Sequence, residues 1–342
     1  MLKIGIICPS EIAYRRFMPA VLQLKEIIEY IGLAIPCPEE RFSSLPSEDI
    51  IKSVLNEERK KAQQFIDNYG GKLFESYETI IASPDIDAIY IPLPPALHYK
   101  WAKKALENGK HVLVEKPATI DEKDTRELVK LAGEMNLALH ENYMFAFHNQ
   151  LKEIDKTIKS GKIGDVRLFR ISFGFPKRQT GDFRYVKALG GGALIDAGGY
   201  TIKYASMLLG PTAKILYSKL NYTDEYDVDL YGSGALANDE GKVVHISFGM
   251  DNEYKCELEV WGSKGILSTG RVLTAPAGFV PKMQIKSGND TSEIDLPSDD
   301  TFKKSILYFC DCIHNEKTRK ESYLSISNQA RLFDKFLKSN NR

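Results

Sequence analysis

Short apolar runs and longer segments of helical periodicity alternate through the first 142 residues. The apolar runs have the length of β-strands and lie at Leu2–Cys8, Leu33–Cys37, Ile86–Leu93, Val112–Glu115 and Leu137–Glu141. Helical spacing of apolar residues follows the first run and reaches Ile31, and further helices are expected at Glu48–Tyr69, Tyr99–Asn108 and Asp121–Met135. Strands that alternate with helices predict a parallel, doubly wound sheet.

The pattern changes after Tyr143. The next run, Val166–Phe175, is long and alternates polar with apolar residues, as antiparallel strands do. Further strand-like runs lie at 213–222, 231–237, 242–249 and 255–261, with helices expected at 151–160, 301–315 and 323–338. We therefore expect an α/β protein with a Rossmann-type domain over 1–142 and an α+β domain over 143–342. The second domain should carry an open, mostly antiparallel sheet, and the C-terminal helices are candidates for packing back on the first domain.

Length and charge narrow the class of protein. A chain of 342 residues is too long for one ordinary core, which favours two domains. Its 46 acidic and 46 basic residues leave no net charge, and so no broad attraction to nucleic acid or to an anionic membrane. Its five cysteines show no metal-binding spacing, and no apolar run approaches the roughly 18 residues of a membrane span. We expect a reduced, cytoplasmic protein without a metal.

The loop after the first strand differs from the usual dinucleotide-binding loop. Where such folds carry G-x-G-x-x-G, this chain has Cys8–Ala13, without the two leading glycines. Ser10 is small enough to allow a phosphate to approach, and Arg15 adds a cation near the start of the following helix. Ser10, Glu11, Ile12 and Arg15 are the candidate cofactor contacts, and a plain turn between strand and helix is the alternative.

The second strand is followed by Glu39, Glu40 and Arg41. Enzymes that use NAD tend to place a carboxylate here to bind the ribose hydroxyls, whereas a cation here suits the 2′-phosphate of NADP. Arg41 gives a slight preference for NADP, and NAD remains the alternative.

Glu115, Lys116 and Pro117 end the strand that begins after Gly109. In open α/β sheets, ligands bind at the carboxyl ends of the strands, so this position suits a functional lysine. The residues alone equally allow a structural ion pair between Lys116 and a carboxylate such as Glu115.

Several segments resemble the glucose–fructose oxidoreductase, inositol dehydrogenase and MocA family (Gfo/Idh/MocA). They are Asp87–Pro94 with His98, Gly109–Pro117 and Gly190–Tyr200, which occur in the order found in that family. The loop segment Ile12–Arg16 is similar to the nucleotide-sugar 3-ketoreductases within it, although Cys8 replaces a glycine that this branch usually keeps.

The resemblance implies a nicotinamide cofactor on the first domain, a substrate between the domains, and a homodimer or homotetramer. It places Lys116 on the active-site lysine of the family and Asp196 and Tyr200 on its D-x-G-x-H/Y pair. It also leads us to expect cofactor contacts from Leu93, Pro94, His98, Glu115 and Lys116.

Carbonyl reduction requires a hydride donor and a proton donor. A tyrosine phenol beside a cation can serve as general acid, so Tyr200 with Lys116 meets this need, and the lysine itself is the alternative donor. Asp196, Arg184 and His148 are the candidate substrate contacts. The expected function is NAD(P)H-dependent reduction of a keto group, at C3, of a nucleotide-linked deoxysugar. The alternatives are an NAD-dependent dehydrogenase of a free sugar or polyol, and a non-catalytic regulator that binds the cofactor.

Overall fold

The computed structural model of the chain describes residues 1–42, 45–179 and 181–340. The polypeptide divides into two compact units. The first comprises Met1–Thr119, Lys123–Asn142 and Ser305–Ile326, and the second comprises Ile120–Glu122, Tyr143–Lys304 and the chain from Ser327 onward.

The first unit contains a six-stranded parallel sheet. Its strands are β1 (Leu2–Ile7), β2 (Ile28–Ala34), β3 (Lys72–Phe74), β4 (Ala88–Ile91), β5 (His111–Val114) and β6 (Leu139–Glu141). Their order across the sheet is β3-β2-β1-β4-β5-β6, which is the order of dinucleotide-binding folds. The order reverses between β1 and β4, where such sheets bind ligands. The predicted parallel, doubly wound sheet is confirmed.

Helices connect these strands. A π-helical turn, Ala13–Phe17, leads directly into α1, and the following helices are α1 (Met18–Leu22), α2 (Pro38–Arg41), α3 (Glu48–Tyr69), α4 (Tyr77–Ala82), α5 (His98–Glu107) and α6 (Glu122–Glu134). Helix α5 packs through Trp101, which is buried in one core with Val112 and Val114 of β5. This burial fixes the position of β5, and with it the position of the residues that follow β5.

The second strand is one place where the sequence prediction was wrong. It was predicted at Leu33–Cys37, whereas β2 already begins at Ile28. The spacing of Ile28 and Ile31 suits a helix, but β-branched residues also favour a strand. Pairing with β1 decides between the two, because Leu2 lies opposite Ile28 at the start of a parallel ladder.

The second unit is built on an eight-stranded sheet in the order β14-β13-β12-β11-β7-β10-β9-β8. Its strands are β7 (Val166–Gly174), β8 (Lys214–Thr223), β9 (Tyr226–Ala237), β10 (Val243–Gly249), β11 (Lys255–Gly262), β12 (Ile266–Gly270), β13 (Lys282–Ser287) and β14 (Asp290–Asp295). Neighbouring strands are antiparallel except for β7 and β10, which are parallel. The expected open, mostly antiparallel sheet is confirmed.

The remaining helices follow the sequence pattern closely. They are α7 (Gln150–Lys159), α8 (Gly199–Leu209), α9 (Thr301–His314) and α10 (Glu316–Ser339), and a π-helical turn, Leu194–Gly198, runs into α8. Helix α10 begins earlier than the predicted Tyr323 because a polar first turn, Glu316–Arg319, precedes its apolar residues.

One face of the large sheet forms the core of the second unit. Phe169, Ile171 and Phe173 point into this core from β7, at every second residue. On the other face Tyr231 and Trp261 each leave 48% of their surface exposed. Strands β12 to β14 were not predicted. Strand β14 has no buried residue and therefore no apolar alternation, whereas β12 and β13 alternate over only five and six residues.

No helix within the described ranges is long and apolar enough to cross a membrane. Over the same part of the chain, no three side chains of His, Cys, Asp or Glu are placed to hold a metal ion.

Candidate active site

The segment after β5 is held by hydrogen bonds to neighbouring strands. The amide N–H of Glu115 donates to the carbonyl of Ile91, 3.0 Å away, at the end of β4. The carboxylate of Glu115 accepts the phenol O–H of Tyr90 at 2.7 Å and the side-chain amide of Asn142 at 2.6 Å. Burial raises the pKa of Glu115, while these two donors and the charge of Lys116 act in the opposite direction. Glu115 therefore serves the protein's own structure at this strand end.

His98 fixes the other side of the same segment. Its two ring nitrogens lie 2.8 Å from the carbonyl oxygen of Pro117 and 2.7 Å from that of Leu93. The ring is fully buried, and burial lowers its pKa to about 4. Main-chain carbonyl oxygens thus lie against both ring nitrogens of a residue that was expected to contact the cofactor, and the neutral ring donates its single N–H to one of them. His98 ties the end of the β4 loop to the residue after Lys116.

A third contact completes this arrangement. The carboxylate of Glu141, at the end of β6, accepts the amide N–H of Ala118 at 2.9 Å. Residues 115 to 118 are thus bound from β4, from α5 and from the end of β6. Lys116 is therefore carried by a segment whose backbone has little freedom to move.

The loop after β1 keeps a glycine-like shape although it lacks glycines. Cys8 has a φ angle of 86°, a conformation that L-residues rarely adopt. Ser10 closes the next turn, because its hydroxyl oxygen accepts the N–H of Ala13 at 3.2 Å. Glu11 and Ile12 open the helix, and no hydrogen bond within the described residues occupies their amide N–H groups. Such amides at a helix start suit a phosphate, so this loop fits a dinucleotide.

Two of the predicted cofactor residues pair with each other. The guanidinium of Arg15 lies 2.5 Å from the carboxylate of Glu11, and both side chains are largely exposed. The contact of Arg15 with a phosphate, which the sequence suggested, would require this surface pair to open.

The carboxylate of Glu40 is fully engaged within the protein. It accepts the amide N–H groups of Cys37 and Tyr77, both at 2.9 Å, and that of Glu78 at 3.0 Å. Glu40 therefore caps α2 and the start of α4, which removes it as a partner for ribose hydroxyls. Arg41 is exposed beside it, with its guanidinium 5.8 Å from the ring centre of Phe42.

In the second unit, Tyr200 lies in a cluster of aromatic rings. The rings of Tyr143 and Phe173 meet it edge-on at 5.3 Å between centres, and Phe145 lies at 5.8 Å. The phenol O–H is 3.9 Å from the sulfur of Met144, which is a weak acceptor. Tyr200 keeps 8% of its surface exposed, so this packing fixes its rotamer.

The glycines before Tyr200 allow this packing. A Cβ atom at Gly199 would overlap the hydroxyl of Tyr143, and one at Gly198 would press on Phe248. The carbonyl of Gly199 also accepts the side-chain amide of Gln329 at 2.9 Å. The glycine pair in the D-x-G-x-Y segment is thus explained by close contact with aromatic side chains.

Asp196 and Arg184, both predicted to contact a substrate, form an ion pair. Nε of Arg184 lies 2.5 Å from the carboxylate of Asp196, and its Nη1 lies 3.2 Å from Asp182. Burial lowers the pKa of Arg184, but the two carboxylates more than offset this and raise it above its ordinary value. Two carboxylates thus balance the positive charge of this guanidinium, and the predicted contact of Arg184 with a diphosphate stays a prediction.

His148 is buried with one ring nitrogen engaged. Its Nδ1 accepts the amide N–H of Gln150 at 3.1 Å, so the proton of the neutral ring lies on Nε2. Nε2 has no hydrogen-bond partner among the residues that the structure describes. Within that same set, no hydrogen bond links His148 to the pair of Arg184 and Asp196.

Sequence reasoning missed several residues that support the site. Glu141 ends β6, beside β5, and Asn142 follows it, and their place at the end of a parallel strand was a usable signal. Asp182 and Asp229 gave no such signal. Asp229 accepts the N–H of Leu194 at 2.7 Å and so caps the turn that leads to Tyr200.

Two family models match the chain. The model described as oxidoreductase family, NAD-binding Rossmann fold, GFO_IDH_MocA, matches residues 40–143. The model of the GFO/IDH/MocA C-terminal domain matches residues 151–268.

The chain is similar over most of its length to named sugar reductases. It is 32% identical to the dTDP-3,4-didehydro-2,6-dideoxy-alpha-D-glucose 3-reductase of Actinomadura kijaniata, over 97% of this chain and 94% of that protein. It is 34% identical to the reductase of the same name from Saccharopolyspora spinosa, over 90% of this chain and 86% of that protein.

The structure is similar to that of KijD10, a 3-ketoreductase from Actinomadura kijaniata in complex with NADP and TDP-benzene. The TM-score is 0.89 at 32% identity, over 99% of this chain and 98% of that one. Variants of KijD10 at one tyrosine and at one lysine also have solved structures. Those two residues lie as far apart along its chain as Lys116 and Tyr200 do here.

We predict that Gly199→Ala lowers the free energy of unfolding by about 1–3 kcal/mol, because the added methyl group overlaps Tyr143. Urea denaturation followed by circular dichroism measures this change. Gly133→Ala, in α6, is the matched control, since its nearest neighbour would be the ring of Tyr323 at 3.9 Å. That variant should gain about 0.5–1 kcal/mol. Equal effects of the two variants would contradict the prediction.

Proposed function

The chain belongs to the GFO/IDH/MocA family of oxidoreductases, and from this membership we propose that it reduces the C3 keto group of a nucleotide-linked deoxysugar with NADPH or NADH. The observation that carries the proposal is the presence of Lys116 and Tyr200 at the spacing of the lysine and tyrosine substituted in KijD10. The named reductases that resemble this chain act on a dTDP-linked sugar, so dTDP is the proposed nucleotide.

In the proposed reaction C=O becomes CH–OH. When bound, the reduced nicotinamide supplies the hydride to the carbonyl carbon. Tyr200 donates its phenol proton to the oxygen, and the aromatic cluster around its ring holds the phenol oxygen in one position. Lys116 provides a positive charge that stabilises the developing alkoxide and the phenolate that remains. In the alternative, the ammonium of Lys116 donates the proton to the oxygen and becomes a neutral amine.

The substrate residues are proposed with altered roles. Asp196 is held in place by Arg184 and orients a sugar hydroxyl. Arg184 therefore acts through Asp196, since its surrounding carboxylates oppose a diphosphate. His148 remains a candidate substrate contact from the sequence, but its Nε2 is buried, so a substrate could reach it only if the surrounding side chains moved.

The dinucleotide is proposed to bind at the loop after β1 and at the end of β4. Glu11 and Ile12 offer amide groups for the pyrophosphate, and Leu93 and Pro94 line the adjacent strand end. We propose that the unit with the parallel sheet binds the cofactor and that the second unit binds the substrate.

The central test compares variants on a dTDP-linked 3-keto-deoxysugar. Tyr200→Phe and Lys116→Ala should each lower kcat by about 10²–10⁴-fold, because each removes a group that acts in the transition state. The rate of nicotinamide oxidation, read by absorbance, gives kcat and KM.

Tyr204→Phe is the matched control for the tyrosine, one turn further along α8, and should keep kcat within about threefold. Wild-type turnover in both Tyr200→Phe and Lys116→Ala would reject the mechanism. A free sugar or polyol turned over faster than the nucleotide-linked ketone would favour the dehydrogenase alternative.

The choice of cofactor is tested at Arg41. We expect Arg41→Ala to raise KM for NADPH about tenfold and to leave KM for NADH within about twofold, because the guanidinium meets the 2′-phosphate. Arg167→Ala, which removes an exposed arginine of the second unit, should change neither value. An equal effect of Arg41→Ala on the KM values for both cofactors would show that Arg41 does not contact the 2′-phosphate.

We also propose that a second copy of the chain covers the outer face of the large sheet. Tyr231 and Trp261 on that face are half exposed, which favours association. Replacing both with lysine should reduce the particle mass measured by light scattering to that of one chain. The control Leu324→Lys alters an exposed leucine of α10 and should leave the mass unchanged. A wild-type protein that is already monomeric would refute the proposal.

A further inference from the structure

A chain of buried hydrogen bonds leads away from Glu115 towards α9. The side-chain amide of Asn142 donates to the carboxylate of Glu115 at 2.6 Å. The hydroxyl of Ser305, in α9, donates to the amide oxygen of Asn142 at 2.7 Å. Nε2 of His140 lies 2.9 Å from the same hydroxyl oxygen. Asn142 keeps 2% and Ser305 0% of its surface exposed, so water does not compete for these bonds.

The direction of every bond in this chain is determined. A carboxylate accepts, so Asn142 must turn its NH₂ group towards Glu115 and its oxygen towards Ser305. The hydroxyl of Ser305 therefore donates its hydrogen bond to Asn142, and its oxygen accepts the Nε2–H of His140. A rotated amide at position 142 would break two bonds at once. The geometry therefore locks one orientation of Asn142.

Glu115 has few other supports. The polar and charged groups that face its carboxylate are Tyr90, Asn142 and the neighbouring Lys116. Tyr90 is itself fixed, because its ring stacks on Phe17 at 4.0 Å between centres. Without Asn142, the carboxyl group of Glu115 would lose one of its hydrogen-bond donors in a buried place.

We propose that Asn142 is a positioning residue for the reductive step. It holds the carboxylate of Glu115, and thereby the backbone that carries Lys116, in the orientation that Ser305 sets from α9. This inference rests on the proposed catalytic role of Lys116. It assigns to the end of β6 a role in turnover.

The proposal predicts an effect on kcat with little effect on cofactor binding. Asn142→Leu has a similar shape without the amide, and it should lower kcat about 10- to 100-fold, since small displacements of a catalytic group are costly. KM for NADPH and the dissociation constant for NADP should stay within about threefold. Asn108→Leu, just after the exposed end of α5, is the control that makes the same replacement at the surface of the same unit, and it should behave as the wild type.

The pH profile separates positioning from a general loss of structure. In Asn142→Asp a second carboxylate faces Glu115, and the pair holds a shared proton to a higher pH than either group alone. The shared proton restores a hydrogen bond between position 142 and Glu115. The loss of kcat relative to the wild type should therefore be small near about pH 6 and grow towards about pH 9. Asn142→Leu should show a deficit that does not change with pH. A deficit in Asn142→Asp that is equally flat would overturn the proposal.

Double variants distinguish this proposal from the function on which it rests. Adding Asn142→Leu to Lys116→Ala should reduce kcat by less than about threefold further, because the group being positioned is already gone. A full additional loss would show that Asn142 acts through folding alone and would overturn the proposal. Wild-type activity of Lys116→Ala by itself would instead reject the catalytic role of Lys116.

If Asn142→Leu does not fold, Ser305→Ala provides the same test. It removes only the hydroxyl that orients Asn142 and should lower kcat about three- to tenfold with unchanged cofactor binding. Retention of full kcat by Ser305→Ala and by Asn142→Asp at high pH would refute the inference.

Discussion

Parallel pairing of β4, β5 and β6 is the constraint on which the Lys116 segment depends. Ile91 lies opposite Val114, and Val114 lies opposite Glu141, so these strands end at the same level. Hydrogen bonds from β4 and from the residues at the end of β6 therefore converge on Glu115 and Ala118. A shift of one residue in either register would reverse the faces of the side chains and remove these bonds.

In the second unit the candidate catalytic side chain, Tyr200, lies on a helix and is held by packing against aromatic rings. Close approach of Gly198 and Gly199 to Phe248 and Tyr143 brings the start of α8 against the aromatic cluster. The capping carboxylate of Asp229 fixes the turn that precedes this helix. Dispersion contacts thus orient Tyr200, whereas hydrogen bonds orient the backbone of Lys116.

Much of this arrangement could be predicted from the sequence, and the failures have physical causes. Apolar runs separated by helical segments predicted the first sheet, and alternation of polar and apolar residues within strands predicted the second. Both signals arise because buried positions repeat with the period of the helix or strand. The start of β2 was missed because Ile28 and Ile31 suit either period and only the partner strand decides. The pairing of Arg184 with Asp196 and the capping role of Glu40 were missed for a related reason. Each depends on contacts between residues far apart in sequence, such as Glu40 with Tyr77, which no local pattern encodes.

The backbone at Cys8 bears on how dinucleotide loops are recognised. Glycine normally occupies positions with a left-handed φ because it has no Cβ atom to clash, yet here Cys8 takes this conformation. The β1 ladder precedes this turn and the hydrogen bond to Ser10 follows it, so both fix the path of the chain at Cys8. Counting glycines in this loop would assign such a protein to the wrong group. A criterion based on the φ angle at this position would recognise the loop without requiring a glycine.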